Sequence, residues 1–302
     1  MNEPQISVII NTYNSEEFLA ETLASLRSQT VTDWEAIVWD NGSVDSTRDI
    51  VMSFQDERIR FFQDCKKVSL YQSRINGLQE STGQLVAFLD HDDAWLPSKL
   101  ELQSRVFQDE RVACSSSDAV IISTDGSLTD EIKSGKIART YSNTRIDREQ
   151  LTRRYRVGMS TLMARRSAVF RCLPNPVPNY TIIEDFDLVF RLLEYGTLIP
   201  LHEPLTLYRL HANNFSSKTD IYLNEIQQWL ADFGSSGEIS PETDSIALNV
   251  WNSYLRTAAR RELQSGSRIQ AVRLASEMVW GSDRLKLLAG SLALPRSILK
   301  KL

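Results

Sequence analysis

Residues 85–95 read LVAFLDHDDAW, an apolar run that ends in a cluster of acidic side chains. The apolar part fits a buried β-strand, and Asp90, Asp92 and Asp93 follow at its carboxyl end. Carboxylates held close together repel one another unless a proton or a cation intervenes. An Asp-x-Asp sequence after a strand suits Mg²⁺ or Mn²⁺ that is bound partly through substrate phosphates. The stretch therefore predicts a strand end that binds a metal ion and a phosphate-bearing substrate.

Three more short strands are predicted upstream, at residues 6–10, 35–39 and 59–62, with helical patterns between them. This alternation is typical of a parallel sheet covered by crossover helices. The predicted fold class is therefore α/β, with a Rossmann-like, mostly parallel sheet. The first helix is predicted to begin with a capping box formed by Asn14 and, three residues later, Glu17.

The second half of the chain changes in composition. Residues 125–147 are polar without clear periodicity, and we expect a mobile loop there. From about residue 218 the pattern becomes helical, with apolar residues such as Ile226, Trp229 and Leu230 at helical spacing. The predicted organisation is a main domain at residues 1–217 and a helical C-terminal region at residues 218–302.

Charge and cysteine content limit the function classes. A net charge of -5 and a pI of about 5.4 argue against a nucleic-acid-binding protein. The three cysteines show no C-x-x-C spacing and are too few for a disulfide framework, which is typical of a reducing compartment. The amino-terminal residues lack the pattern of a signal peptide, and no apolar run is long enough to span a membrane. These features predict a cytoplasmic protein.

The last stretch, residues 284–302, mixes leucines with lysine and arginine. Such a segment fits an anionic membrane surface, here the inner face, which would suit a lipid-linked acceptor. It fits equally a terminal helix that packs its leucines on the helical region. The sequence leaves both interpretations open.

Polar residues also follow the first two predicted strands, at 11–14 and 40–47. Ligands of open α/β sheets bind at the carboxyl ends of the strands, so these residues are candidates for a binding site. Each cluster alone fits an ordinary turn or helix cap. The chain has neither G-x-G-x-x-G after a strand nor a P-loop, so neither motif supports hydride transfer or ordinary phosphoryl transfer.

Taken together, the motifs resemble those of the family 2 glycosyltransferases over roughly residues 5–215. The matching segments, in chain order, are Thr12-Tyr13-Asn14, Asp40-Asn41-Gly42-Ser43, Ser73-Arg74-Ile75-Asn76-Gly77, Leu89-Asp90-His91-Asp92-Asp93, Ile183-Glu184-Asp185 and Tyr208-Arg209-Leu210-His211. The resemblance implies a nucleotide-diphospho-sugar transferase of the GT-A type and an inverting reaction.

The resemblance also implies roles for individual residues. The expected donor-binding residues are Thr12, Tyr13, Asn14, Asp40, Arg74 and Asp90. Asp40 matches the position that contacts a pyrimidine base, which favours a UDP- or dTDP-sugar. Asp92 and His211 match the metal-binding positions for Mn²⁺ or Mg²⁺, and Asp185 matches the general base.

Two more expectations concern neighbouring residues. Asp93 is expected to cap the following helix, and the segment Gly158-Met159-Ser160 is expected to shape the acceptor side.

The predicted activity is transfer of a sugar to a hydroxyl of a glycan or a lipid-linked acceptor, as in surface polysaccharide biosynthesis. Two alternatives remain at this point. One is a non-catalytic relative that binds a nucleotide-sugar, since fold does not establish function. The other is a sugar nucleotidyltransferase, which would ordinarily need a glycine-rich, basic loop after the first strand. Residues 11–14 supply no such loop.

Overall fold

The computed structural model describes residues 4–64, 67–123, 136–138, 141–211, 218–235 and 241–277. Its strands are β1 (Ile6–Thr12), β2 (Trp34–Asp40), β3 (Ile59–Gln63), β4 (Leu85–Phe88), β5 (Ala94–Trp95), β6 (Val112–Ser123), β7 (Lys136–Ala138), β8 (Met163–Arg165) and β9 (Thr197–Leu210). Its helices are α1 (Leu19–Arg27), α2 (Thr47–Ser53), α3 (Leu70–Gln79), α4 (Lys99–Arg105), α5 (Arg148–Arg153), α6 (Arg166–Cys172), α7 (Glu184–Leu192), α8 (Thr219–Ser235), α9 (Pro241–Ser265) and α10 (Arg268–Glu277).

The strands form one sheet in the order β3-β2-β1-β4-β8-β6-β9-β5, with β7 paired to β6. Strands β3, β2, β1 and β4 are parallel, as the alternating pattern predicts. Beyond β4 the sheet becomes mixed, because β8 pairs antiparallel with both β4 and β6. The α/β fold class is confirmed, and the parallel strands are the part whose carboxyl ends carry the motifs.

The parallel strands lie in the core because helices cover them. Every residue of β1 and β4 is buried, and Leu19, Leu23 and Leu26 of α1 are fully buried against the same apolar cluster. Burying each leucine side chain contributes on the order of 2 kcal/mol. This packing fixes the strand ends, and therefore the polar residues that follow them.

The predicted capping box is wrong. Helix α1 begins at Leu19, and the residue before it, Phe18, makes no side-chain cap. Asn14 instead has a positive φ of 50°, and its side-chain oxygen accepts a hydrogen bond from the backbone N–H of Val44 (3.0 Å). The contact with a distant loop outweighs the local capping pattern, so Asn14 joins the loops after β1 and β2.

The described chain divides into two compact units. One comprises residues 1–147 and 156–214, and the other comprises residues 148–155 and 215–302. The second unit contains α8, α9 and α10, and it includes α5, which packs on α9. The helical C-terminal region predicted from the sequence is therefore present, and residues 148–155 group with it. No described helix is both long enough and apolar enough to cross a membrane.

Candidate active site

The loop after β4 carries the acidic cluster. Nε2 of His211, which follows β9, lies 2.8 Å from Oδ2 of Asp92, and each side chain is 14% exposed. The ring of His211 also packs against Phe18, with ring centroids 5.5 Å apart. The structure therefore brings together the two residues predicted to bind the metal, although 119 positions separate them in the chain.

Asp93 does not cap a helix, contrary to the expectation. It is 2% exposed, and its carboxylate accepts a hydrogen bond from the backbone N–H of Arg209 (2.9 Å), while α4 begins only at Lys99. Burial and the negative charges of Asp92 and Asp90 raise the pKa of Asp93. Asp93 thus attaches the acidic loop to β9 rather than to the next helix.

Ser160 holds the same loop from the other side. Its hydroxyl accepts a hydrogen bond from the backbone N–H of Asp90 (3.0 Å), and its carbonyl accepts one from the indole of Trp95 (2.8 Å). The side chain is 2% exposed. Ser160 therefore supports the acidic loop, and the expectation that its segment shapes the acceptor side stays a prediction.

Asp40 lies at the end of β2 and is fully buried. Its Oδ1 accepts hydrogen bonds from the hydroxyls of Thr12 (2.9 Å) and Ser43, and its Oδ2 accepts from the backbone N–H of Ser43 (2.8 Å) and from the amide of Gln63 (2.9 Å). Four protein donors thus surround the carboxylate. Gln63 is exposed, so it is the donor that a ligand can displace most easily.

Tyr13 and Asn14 lie beside this pocket. Tyr13 is 44% exposed, and the ammonium of Lys67 stands 3.7 Å from the centre of its ring, a cation–π contact. The backbone N–H of Asn14 donates to the hydroxyl of Ser43 (2.8 Å). Because Ser43 also binds Asp40, hydrogen bonds connect Thr12, Asn14 and Asp40 in one group, and Tyr13 lies between Thr12 and Asn14 in the chain.

Arg74 belongs to a second group of charged residues. It lies on α3, is 3% exposed, and its Nη2 is 2.8 Å from Oδ1 of Asp90 and 3.4 Å from Oε1 of Glu184. Its Nε and Nη1 find no acceptor among the described residues. Arg74 thus connects the loop after β4 with the start of α7 and keeps two donors available.

Asp185 follows Glu184 in the first turn of α7 and is partly exposed. Desolvation and the negative charge of Glu184 raise the pKa of Asp185, and Arg74 and the backbone N–H of Phe186 oppose the rise. A carboxylate with a raised pKa is a stronger base at neutral pH. The environment of Asp185 is therefore suited to accept a proton.

Sequence reasoning missed Arg209 and Gln63. The guanidinium of Arg209 donates to the backbone carbonyl of Asp92 (2.9 Å) and pairs with Glu21 of α1. For Arg209 the usable signal was its position in the Tyr208–His211 segment, two residues before the predicted metal ligand. Gln63 carried no such signal, since a glutamine at a strand end is unremarkable.

With the geometry established, the comparisons with known proteins place the chain in a family. Residues 7–172, more than half of the 302 residues, match the model of glycosyl transferase family 2. The chain therefore belongs to the family 2 glycosyltransferases and is a glycosyltransferase, as its motifs predict.

Two relatives illustrate the family. TuaG of Bacillus subtilis (strain 168), named as a teichuronic acid biosynthesis glycosyltransferase, is 29% identical over 218 residues, which cover 71% of this chain and 82% of TuaG. WfgD of Escherichia coli, a UDP-Glc:alpha-D-GlcNAc-diphosphoundecaprenol beta-1,3-glucosyltransferase, is 35% identical over 103 residues, which cover 34% of this chain and 41% of WfgD.

Solved structures share the fold. TarS of S. aureus (residues 1–349), in complex with UDP-GlcNAc, superposes with a TM-score of 0.65 at 17% identity, covering 95% of this chain and 79% of that one. The mannosyltransferase PcManGT of Pyrobaculum calidifontis, in complex with GDP-Man and Mn²⁺, gives a TM-score of 0.61 at 16% identity, covering 100% and 83%. At these identities the likeness supports a GT-A-like fold.

Proposed function

We propose that this glycosyltransferase transfers a sugar, with inversion, from a UDP- or dTDP-sugar to a hydroxyl of a glycan or a lipid-linked acceptor. The observation that carries the proposal is the order of the strands: Asp40 and Asp92 lie at or just after the carboxyl ends of strands β2 and β4, which both pair with β1. Arg74 joins the loop after β4 to the first turn of α7, which carries Asp185. The name of WfgD, which is 35% identical over 103 residues, gives UDP-Glc as its donor, and this supports a uridine donor here.

The donor nucleotide is assigned to the group around Asp40. A pyrimidine N–H can bond to the Asp40 carboxylate if it replaces the exposed amide of Gln63, which is 2.9 Å from Oδ2. Tyr13 offers an aromatic surface to the nucleotide. The two donors of Arg74 that find no acceptor in the described chain are assigned to the donor's sugar or phosphate oxygens.

Asp92 and His211 are proposed to hold Mn²⁺ or Mg²⁺. A carboxylate suits both ions, and an imidazole beside it favours Mn²⁺. No group of three or more His, Cys, Asp or Glu side chains placed to hold a metal ion is present among the described residues. In this proposal the protein supplies two ligands, and substrate oxygens supply the others. When bound, the ion would neutralise charge on the leaving diphosphate.

Asp185 is proposed as the general base. It takes the proton of the acceptor hydroxyl while the hydroxyl oxygen forms a bond to the anomeric carbon of the sugar. The bond between that carbon and the diphosphate oxygen breaks, and the nucleoside diphosphate leaves from the opposite face. The configuration at the anomeric carbon therefore inverts, and no covalent intermediate with the protein forms.

The acceptor class follows from the relatives. TuaG is named for teichuronic acid biosynthesis, and WfgD acts on a diphosphoundecaprenol-linked sugar, which supports a role in polysaccharide biosynthesis. A lipid-linked acceptor would place the enzyme in the cytoplasm at the inner membrane face. The basic, leucine-rich segment at residues 284–302, which fits either contact with that face or packing on the helical region, lies outside the described residues.

A donor panel tests the proposal. Purified protein is incubated with UDP-, dTDP- and GDP-sugars in Mn²⁺, Mg²⁺ or EDTA, and both thermal shift and nucleotide release are recorded. We expect a uridine or thymidine donor to raise the melting temperature only with metal. Asp185→Asn should keep this shift and lose about 10²–10⁴-fold in turnover, the usual contribution of a general base.

His202→Gln provides a matched control for the metal site. His202 and His211 both lie on or directly after β9, but His202 is exposed and does not contact Asp92. We expect His211→Gln to weaken the metal-dependent thermal shift and His202→Gln to leave it unchanged. The assignment of the donor site is wrong if no nucleotide-sugar changes the melting temperature with any metal.

A further inference from the structure

Glu184 is a buried carboxylate to which the proposed reaction gives no role. Its side chain is 6% exposed, and Oε1 is 3.4 Å from Nη2 of Arg74, the same nitrogen that is 2.8 Å from Oδ1 of Asp90. Burying a charge costs free energy unless a partner compensates it, so these three groups depend on one another. One guanidinium nitrogen therefore ties the start of α7 to the loop after β4.

A second polar contact joins α3, which carries Arg74, to α7, which carries Glu184. The hydroxyl of Tyr71 on α3 donates to Oδ2 of Asp187 on α7 (3.0 Å), and Arg191 pairs with the same oxygen (2.8 Å). Asp187 is fully buried. This contact holds α7 on α3 without involving Arg74 or Glu184. Among the described residues, α3 and α7 are therefore joined by two separate polar contacts, Arg74–Glu184 and Tyr71–Asp187.

The charged residues around Asp185 show how the Arg74–Glu184 pair affects the pKa of Asp185. Glu184 and Asp90 place negative charge near Asp185, and Arg74 places positive charge there. Tyr141 also interacts electrostatically with Asp185: burial and, more weakly, the negative charge of Asp185 raise the pKa of the Tyr141 phenol. Glu184 is the largest of the charged influences, and it acts to raise the pKa of Asp185.

We propose that Glu184 is a positioning residue: its carboxylate holds Arg74 against Asp90 and fixes a negative charge next to Asp185 at the start of α7. The inference rests on the proposed function, in which Asp185 removes the acceptor proton. Through Arg74 and Asp90, Glu184 therefore connects the proposed donor-binding residues with the proposed general base.

The test is the pH profile of Glu184→Gln, a substitution of the same size that keeps an acceptor for Arg74. The rate of UDP release is measured against pH, with the UDP-sugar that gives the highest turnover in the donor panel. Because removal of the neighbouring charge lowers the pKa of Asp185, we expect the acidic limb of the kcat profile to move to lower pH. We expect kcat at its plateau to fall roughly tenfold, because a weaker base is a poorer catalyst. The KM for the donor should stay within about twofold, since ground-state binding is not removed.

Tyr71→Phe is the control. It removes the other polar contact between the same helices, so it should lower the melting temperature and leave the acidic limb in place. Glu184→Asp keeps the charge and should hold the limb near its wild-type position. If the glutamine variant does not fold, Glu184→Asn, which also removes the charge, takes its place.

The results separate this inference from the proposed function. An acidic limb that does not move in Glu184→Gln, or that moves equally in Tyr71→Phe, would overturn the role of Glu184 alone. If the wild-type protein releases no nucleotide from any donor, the proposed function fails and the role of Glu184 fails with it.

Discussion

Gln63 occupies one of the four hydrogen-bonding positions around the Asp40 carboxylate (2.9 Å to Oδ2). If a pyrimidine binds to Asp40, it competes with this exposed amide. A net hydrogen bond contributes about 0.5–1.5 kcal/mol, so removal of the competitor should tighten binding by about 2–10-fold. We therefore expect Gln63→Ala to lower the Kd for UDP, measured by calorimetry in Mn²⁺.

Gln227→Ala is the control for this measurement, because Gln227 is an exposed glutamine of α8 that bonds to Tyr254 rather than to Asp40. Weaker UDP binding in Gln63→Ala would contradict the displacement argument and would mean that Gln63 contacts the nucleotide itself. An unchanged Kd would mean that the base does not displace this amide.

Helix α4 buries two polar side chains, of which one is hydrogen-bonded and the other lowers the stability of the fold. Gln103 is well paired, since its amide donates to the carbonyls of Ser115 and Thr161, both at 2.9 Å. Lys99, one turn earlier, is fully buried and finds no hydrogen-bond acceptor among the described residues; its ammonium stands 3.6 Å from the centre of the Trp95 ring. Desolvation lowers the pKa of Lys99 well below its usual value.

This environment predicts that Lys99→Met stabilises the protein. The unfolded chain binds a proton at Lys99 more tightly than the folded chain does, so this group opposes folding below its unfolded pKa, most strongly below its folded pKa. The penalty shrinks as pH rises toward the unfolded value of about 10.5. We expect urea unfolding at pH 7 to show a gain of at least about 1 kcal/mol, and a smaller gain at pH 9.5.

Arg154→Met, at an exposed arginine, is the control and should change little. A loss of stability in Lys99→Met at both pH values would mean that the cation–π contact with Trp95 outweighs the desolvation of the amine.

The sequence predicts some elements well for a physical reason. Strands β1 to β4 are short, apolar and separated by helical patterns, so their ends and the residues after them can be placed from local periodicity alone. The start of α1 cannot be placed from local periodicity, because Asn14 bonds to Val44, 30 positions away, instead of capping the helix. The supports of the acidic loop, Ser160 and Arg209, lie about 70 and 117 positions from it and become neighbours only through the sheet.

At the scale of the whole molecule, the division into two compact units predicts more than one unfolding transition. The unit formed by residues 1–147 and 156–214 contains the proposed donor site, and the other contains its own cluster around Leu255, Ala259 and Ala275. A ligand that binds only one folded unit stabilises that unit, by about 2.7 kcal/mol at a concentration of 100 Kd. We therefore expect differential scanning calorimetry to resolve two transitions, of which UDP with Mn²⁺ raises only one.

Leu255→Ala identifies the other transition. Leu255 is fully buried, and truncating a buried leucine costs about 2–5 kcal/mol. The variant should therefore lower the transition that UDP does not move and leave the UDP-sensitive transition in place. A single transition that is moved by both UDP and Leu255→Ala would mean that the two units unfold as one cooperative block. In that case, loss of packing around Leu255 would also weaken donor binding near the unfolding temperature.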